Sequence, residues 1–259
     1  MTKTGAARQM FWARVIADAS VLAFLAGWWH LARGMPAFVL PGPLDVAREL
    51  ARFSYDWNLQ VHLATSFFRV TISALVAVLL ALALAKPARH SRLASEILQR
   101  RVLLFLSSFP AIGWAILGVI WFNVSNTTVI FIQIVIILPF CLNNVIEGFR
   151  QLDPEIEELG YSLTRNRWRR LTRVTLPLMA PFLVAGLRVS YGICWKIALV
   201  AELFGAEKGL GYLLMQAQSA ANAPLVLACC ILIVIVFTAT DRFCLLPLES
   251  RFSKNRVAP

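Results

Sequence analysis

The chain has 259 residues, of which 59% are hydrophobic and only 15% are charged. Soluble domains contain about 45–50% apolar and about 25% charged residues, so this composition excludes both an ordinary soluble domain and a disordered chain. The net charge of +11 comes from Lys and Arg residues scattered over several short segments, which argues against nucleic-acid binding. The sequence therefore predicts an all-α integral membrane protein with a single transmembrane domain over residues 1–259.

A helix that crosses the membrane needs about 20 mostly apolar residues. Six stretches meet this requirement, and they cover approximately residues 14–32, 67–86, 102–122, 127–146, 178–202 and 224–246. The first follows three basic residues, as a secretory signal would, but it contains Asp18 and has no small-residue cleavage site. We therefore expect it to remain as a span. After it, apolar residues at helical spacing over 43–53 predict an interfacial helix.

The basic residues predict how the chain is oriented. Of the 25 Lys and Arg residues, 18 lie in segments 1–14, 86–101, 147–177 and 242–259, which share one side of the membrane if all six spans form. Cytoplasmic loops carry an excess of Lys and Arg. We therefore expect both termini in the cytoplasm and segment 36–66 on the extracytoplasmic side.

The cytoplasmic loop over 147–177 carries helix signals of its own. Asp153-Pro154 opens one helix, with carboxylates in its first turn, and Asn166 can cap a second helix over 167–174 that ends before the fifth span. The apolar residues of this protrusion are Leu163, Trp168 and Leu171. An exposed Trp among arginines is typical of a docking surface. The alternative is an interfacial hairpin with its Trp and Arg side chains at the lipid headgroups.

Five groups of residues in and around this loop, taken in order, form a single pattern: Glu158-Leu159-Gly160, Leu163, Arg167-Trp168, Arg173-Val174 and Leu176-Pro177. The pattern resembles the EAA loop of ABC importer permeases. Matches to the nitrate/sulfonate/taurine/bicarbonate type continue elsewhere, at Leu40-Pro41-Gly42-Pro43, His62-Leu63-Ala64-Thr65-Ser66, Pro110-Ala111-Ile112-Gly113-Trp114, Ala201-Glu202-Leu203-Phe204-Gly205-Ala206 and Gly209-Leu210-Gly211-Tyr212. The resemblance covers most of residues 36–220.

The resemblance implies a type I ABC importer permease fold in a bacterial inner (plasma) membrane, with a coupling-helix loop between spans 4 and 5. It implies several partners: the lipid bilayer, cytoplasmic ABC ATPase subunits, an extracytoplasmic substrate-binding protein, and a second permease copy in a homodimer or a heterodimer. The chain has no G-x-x-x-x-G-K-[ST] sequence to cradle phosphates. We therefore expect no cofactor and no enzymatic activity on this chain, with ATP and Mg bound by the partner ATPase.

The resemblance also implies which loop residues couple to the ATPase. These are Glu158, Leu163, Thr164, Arg167, Trp168 and Leu171. Thr164 stands where the family has Gly, a residue that lets the chain turn between two helices. A reshaped turn would suit a dedicated ATPase or a heterodimer with a more typical permease.

The fifth span carries the candidate path residues. A charged side chain at the centre of a membrane helix raises the free energy of membrane insertion by about 2.5–3.5 kcal/mol. Lys196 should therefore face the bundle interior or water. It either attracts an anion in the translocation path or forms a structural ion pair with Glu202 or Asp18. For Arg188, snorkelling or a structural pair is the favoured role. The predicted path and gate residues are Trp195, Lys196, Glu202, Gly205, Gly209 and Gly211.

These observations favour a permease for a small polar solute, with an anion such as a sulfonate, nitrate, bicarbonate or a small carboxylate preferred because of Lys196. A stand-alone secondary transporter or channel is the alternative. It would need coupling carboxylates within the membrane, for which Asp18 and Asp241 are candidates. A membrane-embedded enzyme would need metal ligands or a nucleophile beside a base, and the sequence has neither pattern.

Overall fold

The computed structural model describes residues 3–152, 155, 162 and 166–254, and these residues form helices joined by short connections. Five helical segments are long and apolar enough to cross a membrane, and a sixth results if two helices that meet at a sharp bend count as one span. The predicted all-helical membrane fold with about six spans is confirmed. Packing divides the chain into two compact units, one comprising Met1–Gln60 with Leu214–Leu232 and the other Val61–Leu213 with Ile233–Pro259.

The helices follow one another closely along the chain. They are α1 (Lys3–Arg33), α2 (Pro43–Arg52), α3 (Trp57–His90), α4 (Arg92–Ile97), α5 (Leu103–Ser108), α6 (Ala111–Phe122), α7 (Asn126–Arg150), α8 (Arg167–Arg170), α9 (Leu176–Gly205), α10 (Leu210–Ser219), α11 (Ala223–Thr240) and α12 (Leu246–Lys254). Single π-helical turns lie between α4 and α5, between α8 and α9, and between α11 and α12, at Leu98–Val102, Leu171–Thr175 and Asp241–Leu245.

In the first unit, α1 is tied to the linker that leads into α2. The indole Nε1 of Trp28 donates a hydrogen bond to the carbonyl oxygen of Pro41 at 3.0 Å. Helix α2 begins at Pro43, which suits a first position because its nitrogen has no hydrogen to leave unpaired. Val46 on this helix is 2% exposed and Leu44 is 60% exposed. The predicted helix over 43–53 is confirmed.

In the second unit, α7 and α9 form the most extensive helix pair. Small residues allow the close approach, because a Cβ atom at Gly186 would lie 2.9 Å from the Cβ of Asn144, and one at Gly148 would lie 3.0 Å from the Cβ of Phe182. Close backbone contact at small residues is the usual way in which membrane helices associate. This pairing fixes the end of α9, where the candidate gate residues lie.

The prediction of one continuous helix over residues 102–122 is wrong. Helix α5 ends at Ser108, α6 begins at Ala111, and the helical segments on the two sides meet at an angle of 87°. Phe109 is extended, as residues before proline usually are, and Pro110 cannot donate to a preceding carbonyl. High apolar content alone does not show this break.

The prediction of a separate helix over 167–174 is also wrong. The helix that starts at Arg167 continues through a π turn into α9, so 168–205 forms one long helical segment. In the π turn the backbone nitrogen of Leu176 donates to the carbonyl oxygen of Leu171, five residues back. A wider turn at this point accommodates Pro177, which would clash in a regular α-helical register.

Candidate functional site

One face of α3 carries four polar residues at helical spacing within a mostly apolar helix. His62, Ser66, Arg69 and Ser73 are spaced by four, three and four residues, which places them on one side of a helix. Ser66, Arg69 and Ser73 are buried. A buried arginine inside a membrane helix has to be paired, because charge at membrane depth is costly.

The partner of Arg69 is Glu202, near the end of α9. Arg69 Nη1 donates to Glu202 Oε1 at 2.9 Å, and the Ser66 hydroxyl donates to the same carboxylate at 2.7–2.8 Å. Arg69 is 3% exposed and Glu202 is 0% exposed. Arg69 also donates to the Lys208 carbonyl oxygen at 2.6 Å and to Asn126 Oδ1 at 2.6 and 3.0 Å. Both buried charges are therefore compensated by several hydrogen bonds.

The same carboxylate holds the turn over residues 205–211. The backbone nitrogen of Gly211 donates to Glu202 Oε2 at 2.9 Å, and that of Leu210 donates to the Ser66 hydroxyl at 2.8 Å. The Gly209 nitrogen donates to His62 Nδ1 at 3.0 Å. We refer to the side chains of His62, Ser66, Arg69, Asn126 and Glu202 as the Glu202 cluster.

The three glycines predicted for the gate all lie at this turn. Gly209 has a φ of +123°, and a Cβ atom there would lie 2.4 Å from the Glu202 carboxylate. At Gly211 a Cβ atom would lie 2.5 Å from the Leu199 carbonyl oxygen, and at Gly205 it would lie 2.8 Å from the Thr128 methyl carbon. A side chain fits at none of these positions without displacing a neighbour. The structure thus brings Glu202, Gly205, Gly209 and Gly211 together.

Trp195 and Lys196 lie apart from this cluster. Trp195 is buried and packs near Phe67 and Tyr191, with ring centroids 6.4 and 6.3 Å away. Lys196 is exposed and lines a cavity of about 600 Å³ between α9 and α11, together with Val189 and Phe237. Of the alternatives left open for Lys196, the ion pair with Glu202 does not form, and Glu202 binds Arg69 instead. Lys196 forms no ion pair with any residue that the structure describes.

Arg188 lies in the same cavity and forms the structural pair that was favoured for it. Its Nε and Nη2 donate to Asp241 at 2.6 and 2.9 Å, and its Nη1 donates to Glu249 at 2.7 Å. This connects α9 to the π turn after α11 and to α12. Asp241 is one of the two carboxylates that a stand-alone transporter could have used for coupling, and here it is bound by Arg188.

Only part of the predicted coupling loop can be placed. Glu158, Leu163 and Thr164 lie outside the described residues, and Arg167 is the first residue of α8. The Asn166 side chain accepts from the backbone nitrogens of Trp168 and Arg169 at 2.9 and 3.2 Å, so the predicted cap is confirmed. Trp168 is 71% exposed, and Leu171 is partly buried.

Sequence reasoning missed four members of the Glu202 cluster. Arg69 lies in the predicted span over 67–86 and was not among the candidate residues, and His62 and Ser66 were named only as part of a family motif. The available signal was the spacing of polar residues on α3, which gives one polar face on an apolar helix. Asn126, at the start of α7, has no such signal, because its contact with Arg69 spans 57 residues.

The structure has apolar helices of membrane length, a charge pair buried in the interior and a lysine that faces a cavity. Together these features indicate a membrane transport subunit. The chain belongs to the family of binding-protein-dependent transport system inner membrane components, whose family model matches residues 75–245. It is thus a multi-pass inner-membrane transport component with the type I permease fold, and it is not an enzyme. A component of this family works with an ATPase and a substrate-binding protein. The stand-alone transporter or channel is contradicted by this assignment.

Several permeases are similar to this chain over most of its length. SsuC of Bacillus subtilis (strain 168), which is named for aliphatic sulfonate transport, is 27% identical over 238 residues, or 90% of this chain and 85% of the relative. TauC of Escherichia coli (strain K12), a taurine transport system permease, is 27% identical over 248 residues, or 93% and 87%. NrtB of Synechococcus elongatus, a nitrate import permease, is 25% identical over 208 residues, or 76% and 74%.

Proposed function

We propose that this permease carries a small oxyanion, such as a sulfonate, nitrate, bicarbonate or a small carboxylate. The observation that supports this most directly is Lys196, an exposed cation in the middle of an apolar span that lines a cavity of about 600 Å³. The relatives are named for aliphatic sulfonates, taurine and nitrate, all of which carry an oxyanion group. A lysine at this depth attracts an anion and disfavours a cation.

In this proposal Lys196 and the Glu202 cluster have different roles. Lys196 offers a charge to the passing solute, whereas the Glu202 cluster holds the turn over 205–211 as a rigid edge of the extracytoplasmic gate. The rigidity is supported by backbone hydrogen bonds from Gly211 and Leu210 onto buried side chains. Trp195 is almost fully buried and lines the same cavity as Lys196.

The proposal places both termini and the loop over 147–177 in the cytoplasm. The loop then contacts the ATPase through Trp168 and Arg167, and we infer that Glu158, Leu163, Thr164 and Leu171 belong to the same contact. ATP and Mg bind to the ATPase and not to this chain. A second permease copy, identical or related, completes the path. The exposure of Trp168 and the cap at Asn166 support a preformed docking element.

The test is transport by the complete importer in proteoliposomes, with its ATPase and its binding protein. We expect uptake of one labelled solute with an oxyanion group from a panel of taurine, an alkanesulfonate, nitrate and bicarbonate, and no uptake of a neutral sugar. Lys196→Gln should lower anion uptake about tenfold, and Lys196→Arg should restore most of it, because the charge is what matters. Equal uptake by wild type and Lys196→Gln would contradict the role of Lys196, whereas neutral-solute uptake would contradict the substrate class.

A further inference from the structure

His62 belongs to the Glu202 cluster, and its side chain is of the type that changes charge near neutral pH. An imidazole group titrates between about pH 5 and pH 8, whereas the ordinary pKa values of hydroxyl, guanidinium and carboxyl groups lie outside that range. His62 is half-buried near the start of α3, in the segment over 36–66 that we expect on the extracytoplasmic side. Its protonation would therefore follow the pH of the medium on that side.

The contact between His62 and Gly209 needs an unprotonated ring nitrogen. The Gly209 backbone nitrogen donates to His62 Nδ1 at 3.0 Å, which requires a free lone pair on Nδ1. The neutral ring then carries its proton on Nε2. A protonated ring has a hydrogen on both nitrogens, so it cannot accept this bond.

The Gly209 peptide group offers a protonated ring a different partner. The Gly209 carbonyl oxygen lies 3.2 Å from His62 Nδ1, and it already accepts from the backbone nitrogen of Leu213 at 3.0 Å. A protonated Nδ1 would donate to this oxygen and leave the Gly209 N–H group without its acceptor. The addition of one proton thus breaks the hydrogen bond through which His62 holds the turn.

Neighbouring groups of the second unit limit how the imidazole ring can respond. The ring of Tyr212 on α10 stacks on it, with ring centroids 6.1 Å apart and an angle of 13° between the planes. Arg69 on α3 and Lys208 on the turn are the cations that act on the imidazole. The Glu202 carboxylate on α9 is paired with Arg69, and Glu207 is an exposed carboxylate on the turn. A positive ring would therefore be held by stacking beside two other positive charges.

We propose that His62 is a pH-sensitive latch for the turn over 205–211. The neutral ring holds Gly209 and keeps the turn rigid, whereas the protonated ring releases the Gly209 N–H group. The stabilisation from this hydrogen bond is therefore present at neutral pH and is lost as the pH falls through the titration of the ring. The effect on transport rests on the proposed gate, because acid on the extracytoplasmic side should loosen its edge and slow uptake.

Hydrogen–deuterium exchange of the complete importer tests the latch itself. In the peptide over 205–213, corrected for the intrinsic exchange rate, wild type should lose about tenfold in protection between pH 7.5 and about pH 5. His62→Gln keeps an acceptor at both pH values and His62→Ala has none, so neither variant should show this loss. His30→Gln is the matched control, because His30 is an exposed histidine of α1. A wild-type loss of protection in both His62 variants would show that the latch is wrong.

Uptake by the same importer in proteoliposomes tests whether the latch controls the gate. When only the external pH is lowered to about 5, wild type and His30→Gln should slow about threefold more than His62→Gln does. The comparison at equal pH removes the effect of acid on the binding protein and the ATPase. Equal pH profiles for wild type and His62→Gln would show that His62 does not control uptake. Together with the expected exchange result, they would contradict the proposed gate and leave the latch in place.

Discussion

Arg69 and Glu202 show why a charge pair can lie at membrane depth. Removing two ions from water is costly, and the attraction between them offsets that cost only when their remaining hydrogen-bonding groups are also satisfied. Here the carboxylate accepts from Ser66 and Gly211 as well as from Arg69, and the guanidinium reaches Asn126 and a carbonyl oxygen. The turn over 205–211 is therefore held by this carboxylate together with other side chains of the Glu202 cluster.

We expect Glu202→Gln to destabilise the protein strongly. The substitution leaves Arg69 buried without its counter-charge, and breaking a buried pair in this way costs about 3–5 kcal/mol. The midpoint of thermal unfolding in detergent measures the effect. Glu207→Gln changes an exposed carboxylate of the same turn, and its free energy of unfolding should stay within about 0.5 kcal/mol of the wild-type value. A similar midpoint for both variants would show that the pair does not hold the turn.

Gly209→Ala tests the backbone of the same turn. Ala disfavours a φ of +123°, and its methyl group would lie 2.4 Å from the Glu202 carboxylate, so we expect a loss of about 1–3 kcal/mol from strain alone. Uptake should fall together with the melting temperature. Gly27→Ala is the control, because its added carbon meets no atom within 4 Å apart from the adjacent backbone of its own helix, and Ala favours a helix. Equal behaviour of the two variants would argue against a constrained turn.

At the scale of the helices, the sequence predicted where the membrane spans lie better than whether a helix is broken or continues at a proline. Apolar windows located the spans, and Pro43 and Asn166 marked helix starts correctly, because capping and hydrophobic length are local properties. Whether Pro110 or Pro177 ends a helix depends on its tertiary surroundings. At Pro110 the chain bends, and Phe109 packs on Trp114 with ring centroids 4.5 Å apart. At Pro177 a π turn carries the helix onward.

The long helix over 168–205 gives Trp168 a mechanical connection to the path. A displacement at Trp168 can be transmitted to Lys196 and Glu202 along this one helical segment, which includes the π turn at Leu171–Thr175. The candidate docking and gate residues were predicted separately from two sequence patterns. Their placement on a single helical segment could not be predicted, because the proline at 177 suggested a boundary.

Trp168→Ala should uncouple ATP hydrolysis from uptake. Trp168 is 71% exposed, so its removal should leave the melting temperature unchanged, while loss of an interface anchor worth 2 kcal/mol or more would weaken ATPase binding about 30-fold. Co-purification of the ATPase and uptake per ATP hydrolysed measure the two effects. Trp57→Ala removes an equally exposed Trp, at 74%, from the start of α3. If the ATPase subunit failed to co-purify with both variants, or co-purified with both, a specific docking role for Trp168 would be contradicted.

At the scale of the whole chain, the distribution of basic residues determines which side of the membrane each proposed contact faces. The segments with most Lys and Arg should remain in the cytoplasm, because the positive-inside rule acts on short loops. A green fluorescent protein fused after Pro259 should therefore fluoresce, and alkaline phosphatase inserted between Gly34 and Ala37 should be active. Each reporter functions on only one side, so the two fusions give independent readings of the orientation.

The opposite orientation would have consequences for every proposed contact. Trp168 would then lie on the side without ATPase, and the turn over 205–211 would face the cytoplasm, where no binding protein delivers solute. The two contacts cannot be reversed separately, because one continuous helical segment joins them across the membrane. If both fusions were inactive, the Glu202 cluster would still stabilise the fold. The proposed extracytoplasmic gate and the proposed contact with the ATPase would both be wrong.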